Sequence, residues 1–327
     1  MNQTAERAFL LRVIAAFAAL YVIWGSTYFA IRVTLDSMSA SASAAARFVI
    51  AGPFLLLLAG LRGHAIIPPR RELLSLAIVG CLLLVGGNGL VVWSEQYVAS
   101  GLAALTVATT PLWIAILGGL LPGGERLPPM GWAGVLLGLI GLGVLLWPKL
   151  SAGAGGERYG EAAVLLATLC WTSGSLYSKR VVFTVPPLVG TGWQMLMAGI
   201  VLSLIAARAG AFSHFAPTPA GWLALGYLVL FGSCIAFTAF GWLLQHVPAA
   251  KVMTYAYVNP VIAVLLGCLL RNEPFTASMA LGTPIIVLAV ALVTTANIRT
   301  AQRPAERLSA QPARTAAGAR AHVRRTS

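Results

Sequence analysis

The sequence consists of long apolar runs separated by short polar gaps. The runs are continuous and lack the alternation of apolar and polar residues that is typical of strands in an outer-membrane barrel. A helix of about 20 residues crosses the hydrocarbon core of a bilayer, which is about 30 Å thick. Ten runs approach this length, near residues 13–31, 42–61, 73–92, 102–121, 130–147, 162–178, 187–207, 222–244, 252–270 and 278–297. The pattern therefore predicts an all-α integral membrane protein with ten transmembrane helices.

The gaps between the runs contain residues that end helices. Proline pairs occur at Pro68-Pro69, Pro128-Pro129 and Pro186-Pro187, and a proline disfavours helical conformation in the residue before it. The first run continues past Trp24 with no small-residue cleavage site at the distance that a signal peptide requires. We therefore interpret it as an uncleaved first span.

Composition excludes a soluble globular protein. Of the 327 residues, 58% are apolar and 9% are charged, whereas a soluble domain carries about 25% charged residues. The net charge of +13 is spread over the gaps and the C-terminal tail and forms no folded basic face, so no nucleic-acid partner is predicted. The basic tail is expected to be disordered and attracted to anionic lipid headgroups.

The distribution of cations predicts the orientation in the membrane. With the N-terminus inside, sixteen lysines and arginines fall on the cytoplasmic side, seven of them in the tail, and five fall on the opposite side. Cytoplasmic loops carry an excess of these residues. Both termini are therefore expected in the cytoplasm.

The two sets of five runs resemble each other. An offset of 147 residues places Trp24 on Trp171 and Arg47 on Gln194, and an offset of 149 places Pro111 on Pro260. Because each copy has an odd number of spans, the second copy must enter the membrane from the opposite side, which predicts two inverted five-helix repeats. The expected organisation is an N-terminal segment, a first repeat, a linker, a second repeat and a disordered tail, at 1–12, 13–147, 148–160, 161–297 and 298–327.

Several motifs give a resemblance to a known family. In the first copy they are residues 24–29 (Trp-Gly-Ser-Thr-Tyr-Phe), Arg47-Phe48, Ala51-Gly52, residues 100–105 (Ser-Gly-Leu-Ala-Ala-Leu) and residues 124–127 (Gly-Glu-Arg-Leu). The second copy has weaker counterparts at Pro248-Ala249-Ala250, Pro260 and Asn272-Glu273-Pro274. The chain resembles a ten-helix EamA-type member of the drug/metabolite transporter superfamily, near its YedA-like branch. The resemblance implies a secondary transporter of the bacterial inner membrane, without a cofactor, that moves amino acids, sugars, nucleotide derivatives or drugs, most often outward.

Polar and aromatic residues inside the spans are the candidates for substrate binding. Trp24 and Trp171 lie in the middle of equivalent spans beside small hydroxyl residues, and we expect them to form opposite walls of one cavity between the repeats. The alternative is that the small residues permit close helix packing around tryptophans of the core. The candidate binding residues are Trp24, Ser26, Thr27, Tyr28, Arg47, Asn88, Thr110, Trp171, Ser175, Gln194, Tyr257 and Asn259.

Two prolines mark possible hinges at mid-span. Pro111 and Pro260 each lack an N–H and collide with the carbonyl four residues earlier, at Val107 and Ala256. A carbonyl freed in this way needs a partner inside the protein, and Thr110 and its neighbours are candidates for that role. Ordinary packing kinks are the alternative interpretation.

The few ionisable groups near the spans leave the chemistry open. Arg47 lies inside the second span, where it binds an anionic group, makes an internal bond or extends its head group to the interface. Glu95 follows the third span and is interpreted as a solvated interfacial carboxylate. Glu125 and Glu273 are expected to cap helices or pair with cations. No Asp or Glu falls at the middle of a predicted span, which argues against a central proton relay and leaves energy coupling open.

These features favour a secondary transporter, an exporter of small amphiphilic, amino-acid-like metabolites or drugs. The alternatives are an intramembrane enzyme and a scaffold or sensor. The four cysteines fall singly in different spans and the four histidines are scattered, so neither a metal site nor a catalytic cluster is predicted. A monomer is expected, and the Gly134-x-x-x-Gly138 motif leaves a dimer open.

Overall fold

The structure, a computed structural model, describes residues 3–121, 128–151, 155–213, 215–247, 252 and 254–309. These residues form helices and contain no strand. In chain order the helices are α1 (Gln3–Leu35), α2 (Ala40–Leu61), α3 (Arg70–Ser94), α4 (Ser100–Leu120), α5 (Pro129–Ser151), α6 (Gly155–Arg180), α7 (Pro187–Arg208), α8 (Pro219–His246), α9 (Tyr255–Arg271) and α10 (Ala277–Ser309).

Eight helices of the described part of the chain are long and apolar enough to cross a membrane. Helices α6 and α9 are the exceptions. Helix α6 has 26 residues but carries charged residues at both ends, including Lys179 and Arg180. The apolar part of α9, Val258–Arg271, is shorter than a full span. The chain is thus a multi-span membrane protein, and the count of ten depends on these two helices.

Equivalent helices of the two halves pack against each other. Helix α2 packs along α7, and α5 packs along α10, and these are the most extensive helix pairs of the fold. The remaining contacts are reciprocal, because α3 packs on α6 while α1 packs on α8. The interface between the halves therefore runs through the whole bundle.

Two glycines bring α2 and α7 into backbone contact. An ideal Cβ built on Gly52 would lie 2.6 Å from the backbone nitrogen of Leu196, and one built on Gly199 would lie 2.7 Å from that of Val49. The offset of 147 residues relates Gly52 to Gly199 and Val49 to Leu196. Each half thus supplies the same contact to the other, and only glycine fits at both positions.

Three helices contain stretches of π-helix. They are Leu20–Trp24 in α1, Cys81–Gly89 in α3 and Leu228–Ile235 in α8. The stretches in α3 and α8 begin 147 residues apart, so they occupy equivalent positions in the two halves. A π-helical turn shifts side chains relative to the α-helical pattern and is frequent at functional sites.

The connections between helices meet in two groups, one at each end of the bundle. At one end Asp36 binds Arg271, and Thr218 donates to the Ser37 hydroxyl. At the other end Glu72 accepts hydrogen bonds from Thr184, and Phe9 contacts the ring of Trp242. The described connections after α1, α7 and α9 therefore lie together at one end, and those after α2 and α6 lie together at the other.

The C-terminal helix is longer than the apolar pattern predicts. Its backbone is helical from Ala277 to Ser309, whereas the last predicted span ends at residue 297. The added residues 298–309 include three arginines and two alanines, which have high helix propensity, and also one proline, Pro304. The rest of the tail, as well as Glu125 and the motif at 248–250, lies outside the described residues.

Candidate functional site

A central cavity lies between the two halves. It has a volume of about 80 Å³, enough for several water molecules, since one water needs roughly 10–15 Å³ of such space. Its walls come from α1, α2, α3, α4, α6, α8 and α9, and therefore from both halves. Seven of the predicted binding residues line it, namely Trp24, Thr27, Tyr28, Arg47, Asn88, Trp171 and Asn259.

Four other predicted residues lie away from the cavity. Ser26 contacts the Tyr227 hydroxyl at 2.6 Å, and Ser175 donates to the carbonyl of Trp171 one helical turn earlier. The backbone of Gln194 packs against Gly80, because a Cβ added to Gly80 would lie 2.6 Å from the carbonyl oxygen of Gln194. Thr110, the fourth, lies at the break in α4 that is described below. The side chain of Tyr257 lies outside the described residues.

The aromatic wall of the cavity is a cluster centred on Trp24. Its ring centroid lies 6.2 Å from that of Trp171, 5.2 Å from that of Phe237 and 5.0 Å from that of Tyr255. The prediction that the two tryptophans form opposite walls is wrong, because their rings touch edge to face. They come from different halves, but both extend toward the interface and meet there.

Sequence reasoning missed several lining residues, among them Phe237, Thr168 and Gly87. Phe237 and Thr168 lie within apolar spans, and their sequence context does not distinguish them from packing residues. Gly87 belongs to the run Gly86-Gly87-Asn88-Gly89 and has a packing reason, since a Cβ there would lie 3.0 Å from the Trp171 ring. That glycine run was the available signal.

Arg47 is held inside the bundle by neutral groups. Its Nε donates to Ser233 Oγ at 2.8 Å, and its Nη1 donates to Asn88 Oδ1 at 3.1 Å. The guanidinium carbon also lies 5.1 Å from the centre of the Phe48 ring. Because Arg47 is only 2% exposed, the interpretation that its head group extends to the interface is wrong, and internal bonds are present instead.

The π-helical stretches position these groups. Asn88 belongs to the stretch in α3, and Ser233 to the stretch in α8. Within the second stretch the carbonyl of Gly232 accepts a hydrogen bond from Trp24 Nε1 at 3.2 Å. The same local geometry thus fixes both the arginine and the tryptophan at the cavity.

The two predicted hinge prolines differ in structure. Helix α4 is interrupted at Ala108 and Thr109 and resumes at Thr110, with Pro111 in its first turn. Thr110 Oγ1 donates to the carbonyl of Val107 at 2.6 Å, which supplies the partner that the proline requires. Pro260 lies inside α9, whose helix begins at Tyr255 and continues through the proline.

A second group of polar residues lies at the end of the bundle, around a cavity of about 460 Å³ lined by Arg32 and Glu273. Glu273 accepts hydrogen bonds from the Ser100 hydroxyl at 2.8 Å and from the Gly101 amide at 3.4 Å. It therefore caps the N-terminus of α4, as expected for a helix-capping carboxylate.

Glu95, in the connection after α3, differs from its prediction. Its side chain is fully buried, and neither carboxylate oxygen has a hydrogen-bond partner among the described residues. Arg32 donates to its backbone carbonyl and not to its carboxylate. Burial, and then the charge of Glu273, raise the pKa of Glu95 well above its usual range. The interpretation of a solvated carboxylate is therefore wrong.

Comparison with known proteins shows that both halves of the chain match the same family. The EamA-like transporter family matches twice, over residues 11–147 and 158–295. The chain is 41% identical over 286 residues to the uncharacterized inner membrane transporter YedA of Escherichia coli K12, which covers 87% of this chain and 91% of YedA. It is 22% identical over 282 residues to the uncharacterized transporter YoaV of Bacillus subtilis, which covers 85% of this chain and 94% of YoaV.

A solved crystal structure shares the fold. It superposes with a TM-score of 0.64 at 23% sequence identity, over 87% of this chain and 97% of that chain. Similarity at this level of identity concerns the architecture alone, so it carries no information on substrate.

Proposed function

Because this chain belongs to the EamA-like transporter family, we propose that it is a secondary transporter that exports small amphiphilic, amino-acid-like metabolites or drugs by alternating access. The single observation that carries the proposal is the central cavity. Trp24 of the first half and Trp171 of the second line the same space, as a substrate site shared by two repeats requires.

The proposed membrane arrangement has ten helices in two inverted repeats, with α6 and α9 crossing the bilayer as well. The reciprocal helix packing and the grouping of alternate connections at opposite ends support it. Both termini are proposed to lie in the cytoplasm, on the evidence of the loop cations. The name of the relative YedA supports the bacterial inner membrane as the location.

The proposed transport cycle starts from a small cavity. At about 80 Å³ it is smaller than the 300–1,000 Å³ typical of sites for drug-sized ligands, so a substrate enters only when the halves move apart at one end. The break before Pro111 and the proline within α9 are the proposed hinges. The proposed substrate contacts are the seven predicted residues that line the cavity, namely Trp24, Thr27, Tyr28, Arg47, Asn88, Trp171 and Asn259.

Family membership favours a transporter over the intramembrane enzyme and the scaffold or sensor, because the relatives are named transporters. The three classes predict different behaviour in one experiment. Purified full-length protein is reconstituted into vesicles that are loaded with amino acids and amphiphilic drugs, without nucleotide. Protein-dependent loss of an unchanged compound supports transport, and a modified compound supports an enzyme. If neither loss nor modification occurs, the result supports a scaffold or sensor.

The direction of transport needs a separate measurement. Cells that express the chain are compared with cells that express a variant in which both cavity tryptophans are replaced by alanine. An exporter lowers the intracellular level of its substrate and raises the level in the medium, relative to the variant. Intracellular accumulation would contradict export.

A further inference from the structure

Among the described residues that line the central cavity, Arg47 is the only one with a positive charge at neutral pH, and none of them is a carboxylate. The guanidinium is nearly inaccessible, at 2% exposure. No described carboxylate makes an ion pair with it. A buried charge without a counter-charge is unfavourable in a medium of low dielectric constant.

The hydrogen bonds of Arg47 leave part of its guanidinium unused. An arginine has five N–H donors, and the described residues accept from Nε and Nη1, through Ser233 and Asn88. No described group accepts from Nη2. Nη2 lies close to Gly232, where an ideal Cβ would be only 3.1 Å from that nitrogen, so the glycine allows the guanidinium to reach this position, and Arg47 lines the cavity with donors that no described group uses.

The surroundings of this cation are aromatic. Trp24, Trp171 and Tyr255 line the same cavity, and Trp24 already uses its indole N–H on the Gly232 carbonyl. The rings therefore offer apolar faces to a ligand, and the guanidinium offers donors. A carboxylate matches a guanidinium better than any neutral acceptor does, because charge and paired donors coincide.

We propose that the substrate is a small organic acid with an aromatic or apolar body, whose carboxylate binds Arg47 while its body packs on the aromatic wall. This inference rests on the proposed transport function and specifies the substrate class. It also specifies a selectivity, since a cationic ligand meets a like charge and a neutral amide gains no ion pair.

The test compares three ligands of nearly equal size, phenylacetate, 2-phenylacetamide and 2-phenylethylamine, by equilibrium binding to the purified full-length protein. Phenylacetate is expected to bind the wild type at least about tenfold more tightly than the other two, a ratio that corresponds to about 1.4 kcal/mol. Equal binding of the three, or binding of none, overturns the proposal.

Variants show whether Arg47 carries that preference. Arg47→Gln places at this position the residue that the other repeat has at Gln194, and it should bind phenylacetate and its amide equally. Arg47→Lys keeps the charge and should retain part of the preference. The control Arg62→Gln removes an exposed cation at the end of the same helix and should behave as wild type. A preference that survives in Arg47→Gln overturns the assignment, and if that variant does not fold, the ligand comparison on the wild type still decides.

Transport assays in the same vesicles separate the two levels of proposal. If neutral or cationic compounds are transported and Arg47→Gln transports them equally well, the carboxylate assignment fails while the transport function stands. If no compound is transported by the wild type, the proposed function itself fails.

Discussion

The indole rings of Trp24 and Trp171 meet edge to face with their centroids 6.2 Å apart. The two residues occupy equivalent positions in the two halves, 147 residues apart in the chain. Their contact lies at the cavity, where the N–H of Trp24 is bound to Gly232. The pair therefore joins the halves at the proposed substrate site, so it connects stability with the proposed function.

Replacing these tryptophans should have unequal effects on stability. Trp24 is 8% exposed and contacts four other rings, whereas Trp171 is only partly buried. We expect Trp24→Ala to lower the free energy of unfolding by about 3–5 kcal/mol and Trp171→Ala to lower it less. Both should weaken ligand binding in the folded fraction. Thermal melts and binding measurements on the same samples check this, and unchanged affinity in both variants would contradict their role in the site.

The glycine contact between α2 and α7 should not tolerate a methyl group. Gly52→Ala and Gly199→Ala each place a Cβ less than 3 Å from backbone atoms of the facing helix, and overpacking of this kind costs about 1–3 kcal/mol. The matched control is Gly226→Ala in α8, where nothing lies within 4 Å of the added Cβ. We expect melting temperatures to fall for the first two and to hold or rise for the control. Similar behaviour of all three would contradict the close packing.

The buried Glu95 should make stability depend on pH. Its folded-state pKa is raised by burial and by Glu273, against the opposing effect of Arg32, and the Tyr28 hydroxyl also lies within electrostatic range. A raised pKa means that the folded state binds the proton more tightly than the unfolded chain does. Stability is thus full below the pKa of an ordinary glutamate and falls as pH rises through the folded-state value.

Melting temperatures measured from about pH 5 to pH 9 test this dependence. The wild type should lose stability toward the alkaline end, and Glu95→Gln should show a flatter profile because glutamine does not titrate. Glu273→Gln removes a repelling charge and so lowers the folded-state pKa of Glu95, and the loss of stability should therefore be smaller and end at a lower pH. Identical profiles for the wild type and Glu95→Gln would contradict the burial of a protonated carboxyl.

The ion pair between Asp36 and Arg271 should contribute little. Two hydrogen bonds join the groups, at 2.5 Å and 2.7 Å, but the side chains are 49% and 27% exposed. Exposed pairs contribute about 0–1 kcal/mol, so Asp36→Asn should change the free energy of unfolding by less than about 1 kcal/mol. Because Arg271 lowers the pKa of Asp36, this contribution is present above the ordinary aspartate pKa and is lost as pH falls through the lowered value. Chemical denaturation of the wild type and of Asp36→Asn at neutral and at acidic pH checks both points, and a large difference between them at neutral pH would contradict the first.

Reporter fusions should decide the proposed topology. A reporter placed after Pro148 and one placed after Arg299 are expected in opposite compartments, since five spans separate the two points in the inverted arrangement. Activity of both reporters in the same compartment would contradict an odd number of spans per repeat. It would also indicate that one of α6 and α9 does not cross.

By itself the sequence determined that the chain is a helical membrane protein of two related halves. Continuous apolar runs of membrane length admit few other folds, and matched Trp, Pro and Arg/Gln positions reveal the repeat. Position within a run indicates depth in the membrane, so Trp24 was identified as a mid-span residue and Arg47 and Asn88 as polar residues inside spans, and all three line the cavity. The need for a hydrogen-bond donor to the Val107 carbonyl was also predictable, because a proline within a helix frees the carbonyl four residues earlier. Thr110 is that donor.

Only the tertiary structure decided which way the side chains point. In a soluble protein a surface helix has one polar and one apolar face, but in a bilayer both the lipid and the protein interior favour apolar residues. Periodicity therefore does not distinguish Thr27, which lines the cavity, from Ser26, which does not. The π-helical stretches add a shift that no local signal predicts. The burial of Glu95 was also not predictable from its local sequence, because a residue at the end of a span is normally exposed to water. Contacts with distant segments bury it instead, and contacts between segments far apart in the chain exist only once the helices have packed.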